Sequence, residues 1–128
     1  MSRMRIRFSW IMVFPILFSL LAFGEALAAG ITEVVLNPPP SPASPQAPGA
    51  SVLFTAAASG GSGTPEYQFW LNNGTSWSIA QAYSTTATWT WNTSGLPTGT
   101  YLVQVWARNS GSTAQYEAFT TVENYELQ

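Results

Sequence analysis

Glu66 and Glu117 have the best claim to chemistry in this chain. The sequence holds no histidine, cysteine, lysine or aspartate. Nucleophile-and-base arrangements that need His, Lys or Cys therefore cannot be assembled. The side-chain sets that hold transition metals or calcium are missing for the same reason. Glycoside hydrolysis survives formally, because it asks only for two carboxyls about 5–9.5 Å apart. Glu66 opens an expected strand and Glu117 lies on the last one, with no cleft indicated between them. The pair reads as solvated strand-end charge, and the chain as a non-enzyme that uses no cofactor and no metal.

The other residues able to make specific contacts are aromatic. Side chains alternate along a strand. If Tyr101, Val103, Val105 and Ala107 face a core, then Gln104, Trp106 and Arg108 face outward. If Tyr67, Phe69 and Leu71 face inward, Trp70 faces outward beside Gln68. Trp77, on the adjoining hairpin strand, extends the row. Trp70, Trp77, Trp106 and Arg108 are therefore the candidate binding face, with Arg108 expected over Trp106 or Trp70 in a cation–π contact. Three readings of the row compete. It is cross-strand packing worth roughly 0.2–1 kcal/mol per pair, a protein contact, where Trp, Tyr and Arg are enriched, or a stacking surface for sugar rings. Trp89 and Trp91 belong to the core, because Thr88 and Thr90 offer a solvent face.

These elements are expected to work outside the cell. Arg3, Arg5 and Arg7 precede an apolar run from Phe8 to Phe23, and Ala26-Leu27-Ala28 gives a small-x-small exit. That is the pattern of a cleavable secretory signal peptide over residues 1–28, with a signal-peptide helix and cleavage after Ala28. The rival, an uncleaved anchor, is disfavoured because a spanning helix needs roughly 20 apolar residues. No cysteine follows to accept a lipid. Residues 29–128 keep one basic residue, Arg108, against five acids: Glu33, Glu66, Glu117, Glu123 and Glu126. Nucleic-acid binding needs a basic footprint, and anionic membrane surfaces attract basic segments; neither is served here. The expected location is secreted, periplasmic or at the cell surface, with no membrane span after cleavage.

The strands come from alternation broken by Gly, Pro and Asn. Ile31–Leu36 is a β-branched run, and the proline-rich stretch Pro38–Pro48 follows. That stretch is either a stiff linker or an edge segment detouring around a sandwich; the edge reading is preferred, because a linker leaves the preceding strand unpaired. Strands are expected at Ser51–Ala57, from Tyr67 to the Asn73-Gly74 turn, at Ser76–Ala82, Thr86–Trp91, Thr100–Arg108 and Gln115–Val122, with a frayed tail at 123–128. Residues 29–50 thus form the edge strand and proline-rich segment, and 51–122 the rest of a domain spanning 31–122. The fold class is all-β, an antiparallel sandwich of about seven strands. Asn73-Gly74-Thr75 and Asn92-Thr93-Ser94 match the N-glycosylation pattern, which short triplets in Ser/Thr-rich chains do by chance.

The segment Gly99-Thr100-Tyr101-Leu102-Val103-Gln104-Val105-Trp106 resembles the sixth strand of an immunoglobulin-like or fibronectin type III-like domain, with Tyr101 at the tyrosine-corner position. The wider series of SPASPQAPG, the Phe-Thr-Ala strand, SGGSG, Tyr-x-Phe-Trp-Leu-x-Asn-Gly, Trp-Thr-Trp and the Gly-Thr-Tyr strand resembles Ig-like repeats of bacterial secreted and surface proteins, including the triple-tyrosine type. The antibody-type cysteine pair is absent. The resemblance implies a fold and a compartment and brings no catalytic residues with it; the expected role is a non-catalytic module for adhesion, assembly or accessory protein interaction at the cell surface. The alternative is a carbohydrate-binding module using exposed tryptophans. A protein or a glycan is the expected partner.

Overall fold

The strand-forming alternation of this sequence resolves into two antiparallel sheets. The computed structural model describes residues 29–128; the expected signal-peptide helix at 1–28 lies outside the described residues. Eight strands follow in order: β1 (Glu33–Leu36), β2 (Ser51–Ser59), β3 (Pro65–Asn72), β4 (Trp77–Ser84), β5 (Thr88–Asn92), β6 (Gly99–Asn109), β7 (Ala118–Phe119) and β8 (Glu123–Leu127). One sheet has the order β1-β2-β5. The other runs β4-β3-β6, and β7 and β8 both pair with β6.

Period-two alternation explains what the sheets bury between them. β2 contributes Val52, Phe54 and Ala56, and β5 contributes Trp89 and Trp91. Facing them are Tyr67 and Phe69 of β3, then Tyr101, Val103, Val105 and Ala107 of β6. The aromatics interlock: Phe54 stacks on Trp89 at 5.4 Å, and Trp91 meets Tyr101 edge-on at 5.1 Å. Each fully buried aliphatic or Phe side chain contributes about 1.5–3 kcal/mol, which is how a cysteine-free domain holds without disulfides. The Tyr101 hydroxyl donates to the Pro97 carbonyl at 2.8 Å, closing the corner that leads into β6.

The proline-rich segment is tied to both sheets. After β1, Ser41 exchanges two backbone bonds with Leu53, at 2.8 and 3.1 Å. The chain then crosses to the other sheet. There the Gln46 N–H donates to Glu126 O at 3.1 Å, and the Gln128 N–H donates to Gln46 O at 2.9 Å. Gln46 lies parallel to β8. Prolines sit between these pairing residues, where a missing N–H costs nothing.

Four expectations need correction. Residues 123–128 are not a frayed tail: β8 pairs with β6 from Gly99↔Leu127 to Val103↔Glu123, and Tyr125 and Leu127 are buried. The domain therefore runs through Leu127 and has eight strands. The expected strand at Gln115–Val122 shrinks to the two-residue β7, because Thr120 bonds β6 through its side chain (Val105 N–H to Thr120 Oγ1, 3.0 Å). β4 begins at Trp77 and runs on to Ser84, with register shifts against β3 around Phe69. The hairpin loop before it is four residues, since Asn73 Oδ1 accepts the N–H groups of Thr75 and Ser76 at 3.0 and 3.2 Å.

Candidate functional site

The outer face of the β4-β3-β6 sheet carries the aromatic row. Trp70 stands opposite Gln104 on one side and Ile79 on the other, and Trp106 stands opposite Gln68 and Phe119. The Trp70 and Trp106 rings pack at 4.7 Å and 44°. Beyond Trp106 the series continues into Tyr116 at 4.9 Å and 50°, and from Tyr116 into Phe119 at 5.2 Å and 90°. Tilted and edge-on pairing at these separations is the preferred aromatic geometry. Trp70, Trp77, Trp106 and Gln104 line a groove of about 200 Å³. Trp77, which lines the groove, is 40% exposed, and Phe119, which ends the ring series, 53%.

The polar groups of this face are few and mostly committed. Gln104 Nε2 donates to Thr120 O at 2.9 Å, and Gln104 Oε1 accepts the Trp106 Nε1–H at 3.4 Å. Trp70 Nε1 is shut off from solvent with no hydrogen-bond partner. A buried, unmade bond of this kind costs about 1–3 kcal/mol.

Arg108 is placed on the outer face but not in the groove, and its expected stacking partner is corrected. Its guanidinium lies 3.9 Å from the centroid of Tyr83, not over a tryptophan. The register shifts in β4 bring Tyr83 to that spot. Arg108 Nε pairs with Glu66 Oε1 at 3.1 Å, and Nη1 donates to Ala114 O at 2.7 Å. The Tyr83 hydroxyl donates to Gln115 O at 2.7 Å. Burial pushes its phenol up to about 12. Arg108 is thus a clamp holding the Ala114–Gln115 loop, and the groove itself has no charged lining.

The two glutamates are also committed. Glu66 pairs with Arg108. Glu117 Oε1 accepts the backbone N–H groups of Ile31 and Asn109, each at 3.0 Å. The Ile31 bond leads in holding its carboxyl below the usual carboxylate range. Both sequon asparagines serve turns: Asn92 Oδ1 accepts the Ser94 N–H at 2.9 Å, as Asn73 does in the β3–β4 loop. Among the described residues no three metal-ligating side chains come together. No described helix is long and apolar enough to cross a membrane.

The structure therefore brings Trp70, Trp77 and Trp106 together and sets Arg108 apart. Alternation missed Ile79, Tyr83, Tyr116 and Phe119. Tyr116 and Phe119 are three apart in a stretch that is mostly loop, so neither strand nor helix spacing marks them as sharing a face. Ile79 and Tyr83 were hidden by the bulged register of β4.

A family model for a bacterial Ig domain matches residues 33–105, from β1 into β6. No curated protein and no solved structure matches the chain.

Proposed function

The chain belongs to the bacterial Ig domain family, and on that premise we propose that it is an exported, non-catalytic module that holds a partner protein at the cell surface. Its contact surface is the outer face of the β4-β3-β6-β7 sheet. One observation carries this reading. Among the described residues no layer packs over the series from Trp70 through Trp106 and Tyr116 to Phe119 or over the groove that Trp77 completes, and Ile79 beside it is 49% exposed. Contiguous apolar surface of this kind marks interaction sites. The rings tilt against one another by 44 to 90°, so they form clefts between aromatics and not a level platform. Such clefts suit the side-chain anchors of a protein partner. The Arg108–Glu66 pair sits beyond them as a polar rim.

The test uses residues 29–128, which contain both sheets and the whole buried core. The immobilised domain is offered the envelope proteins of its host, in parallel with Trp77→Ala and Ile79→Lys. Retention by the parent and loss in both variants, at unchanged thermal midpoints, supports the reading. Equal retention by all three refutes it.

A glycan reading is favoured by one feature, the three-tryptophan groove with the Gln104 amide. It expects polysaccharide to quench tryptophan fluorescence in the parent and not in Trp77→Ala. A flat response across neutral and acidic glycans removes it.

A further inference from the structure

The seam between the two sheets is filled along one half of its length and open along the other. In the filled half the chain supplies its own extended segment. Gln46 brackets itself between Glu126 and Gln128 with backbone bonds of 3.1 and 2.9 Å, and Ser44 Oγ accepts the Glu126 N–H at 2.8 Å. Toward β7 that pairing stops, and a groove of about 350 Å³ opens between β1 and the segment Phe119–Glu123. Its walls include Glu33, Val35 and Leu36 on one side and Phe119, Thr121 and Glu123 on the other.

Both walls are backbone with one side in use. Among the described residues β1 has a hydrogen-bonded neighbour, β2, on one side only. Across the groove, Thr120–Val122 fall between β7 and β8 and belong to neither strand. Thr120 is held from behind by β6: its N–H donates to Val105 O at 2.9 Å, and its Oγ1 accepts the Val105 N–H at 3.0 Å. An open strand edge is a template for an added strand. Farther along the same seam, the proline-rich segment pairs with β8 in just this extended form.

Charge selects the occupant. Glu33 stands on one wall and Glu123 on the other. Among the described residues the one ion pair joins Arg108 to Glu66, and neither groove carboxylate has a cationic partner there. Between them the lining mixes Val35, Leu36 and Phe119 with Thr120 and Thr121, and Val35 and Phe119 are exposed. The volume lies at the small end of the roughly 300–1,000 Å³ range of ligand sites, suited to a short stretch of extended chain.

We propose that this groove takes up an extended segment of a partner protein by strand addition, a segment with apolar side chains at alternate positions and a lysine or arginine at each end. The site is separate from the aromatic face, and its test does not depend on that face.

The probe is a fluorescein-labelled heptapeptide, Lys-Val-Thr-Val-Thr-Val-Lys, titrated with residues 29–128 and read by anisotropy. Three comparisons accompany it: the same peptide with glutamate at both ends, the same peptide with proline at its centre, and the protein variant Glu33→Gln/Glu123→Gln. Saturable binding is expected, with at least a tenfold loss in each comparison and no loss in Ile79→Lys. Amide shifts should concentrate at Val34–Leu36 and Phe119–Glu123. The proposal is overturned by no saturable binding at millimolar protein, by undiminished binding of the proline or glutamate peptide, or by an unaffected double variant. It is also overturned if the domain dimerises and Val35→Lys dissolves the dimer, since the groove then belongs to a second copy.

Discussion

Replacing Tyr125 tests whether the last strand is part of the core. Its ring is 0% exposed. It meets Trp91 edge-on at 5.6 Å and Phe54 at 6.0 Å. Its hydroxyl donates to the Pro42 carbonyl at 2.6 Å, joining β8 to the proline-rich segment. Tyr125→Phe keeps the ring and removes only this bond, at a cost of about 1–2 kcal/mol for leaving a partly buried carbonyl unpaired. Tyr125→Ala also empties the space the ring fills, and losing a buried aromatic costs about 3–5 kcal/mol. For a domain of this size each kcal/mol moves the thermal midpoint by about 4–8 °C. Phe should thus lower the midpoint by roughly 4–16 °C and Ala by at least about 12 °C. The lower end of the roughly 5–15 kcal/mol typical of domains leaves the alanine variant close to unfolded. Thermal melts followed by tryptophan fluorescence and far-UV circular dichroism give both values. An alanine variant melting within about 3 °C of the parent, less than 1 kcal/mol by the same scaling, would falsify the assignment of β8 to the core.

Three further outcomes follow from the geometry. Glu117 has a carboxyl held below its ordinary 4.5, first by the Ile31 N–H. Its stabilising contribution is complete above that value and is lost as pH falls through the depressed folded one; urea titrations should show a shallower acid decline in Glu117→Gln. Tyr83 titrates at about 12 instead of 10.0, so between these values the unfolded chain sheds the proton first and stability falls as pH rises; Tyr83→Phe should flatten this alkaline limb, and an unchanged slope would count against the burial of that ring. Gly60 has φ +92, and a Cβ there runs into the Thr32 side chain, whereas Gly95, at φ +78, faces open space. Both alanine variants bear the backbone penalty of about 1–2 kcal/mol, and Gly60→Ala should be clearly the less stable of the two in chemical denaturation.

The strands that carry strict alternation are legible in the residues themselves. Val52, Phe54 and Ala56, the Trp89/Trp91 pair, and Tyr101 to Ala107 all point where period two sends them. What stayed hidden was set by pairing and not by local pattern. Asn124 and Glu126 alternate with Tyr125 and Leu127 as in any half-buried strand, but five residues ending in a polar tail resemble fraying unless β6 is known to lie alongside. Two of the three groove tryptophans followed from the faces of β3 and β6, while Trp77 needed the hairpin to bring it across. Alternation along β6 sets the outward face of Arg108 but not its neighbour, because a bulge in β4 decides what lies above it. Tyr116 and Phe119 join the ladder through a loop whose path is fixed by the Arg108 clamp on Ala114 and the Tyr83 bond to Gln115, both tertiary contacts.

The parallel contact between Gln46 and β8 has a mechanical meaning. Tension that draws Ser44 and Gln128 apart pulls two side-by-side strands in opposite directions along their length. The bonds on either side of Gln46 then bear the load in shear and must yield together, whereas antiparallel strands pulled at one end peel bond by bond. The proline-rich approach to Gln46 is already extended and has little slack to release before that load arrives. Under the proposed role, force carried through the module would be resisted at this latch, and Tyr125, bonded to Pro42, anchors the latch to the core.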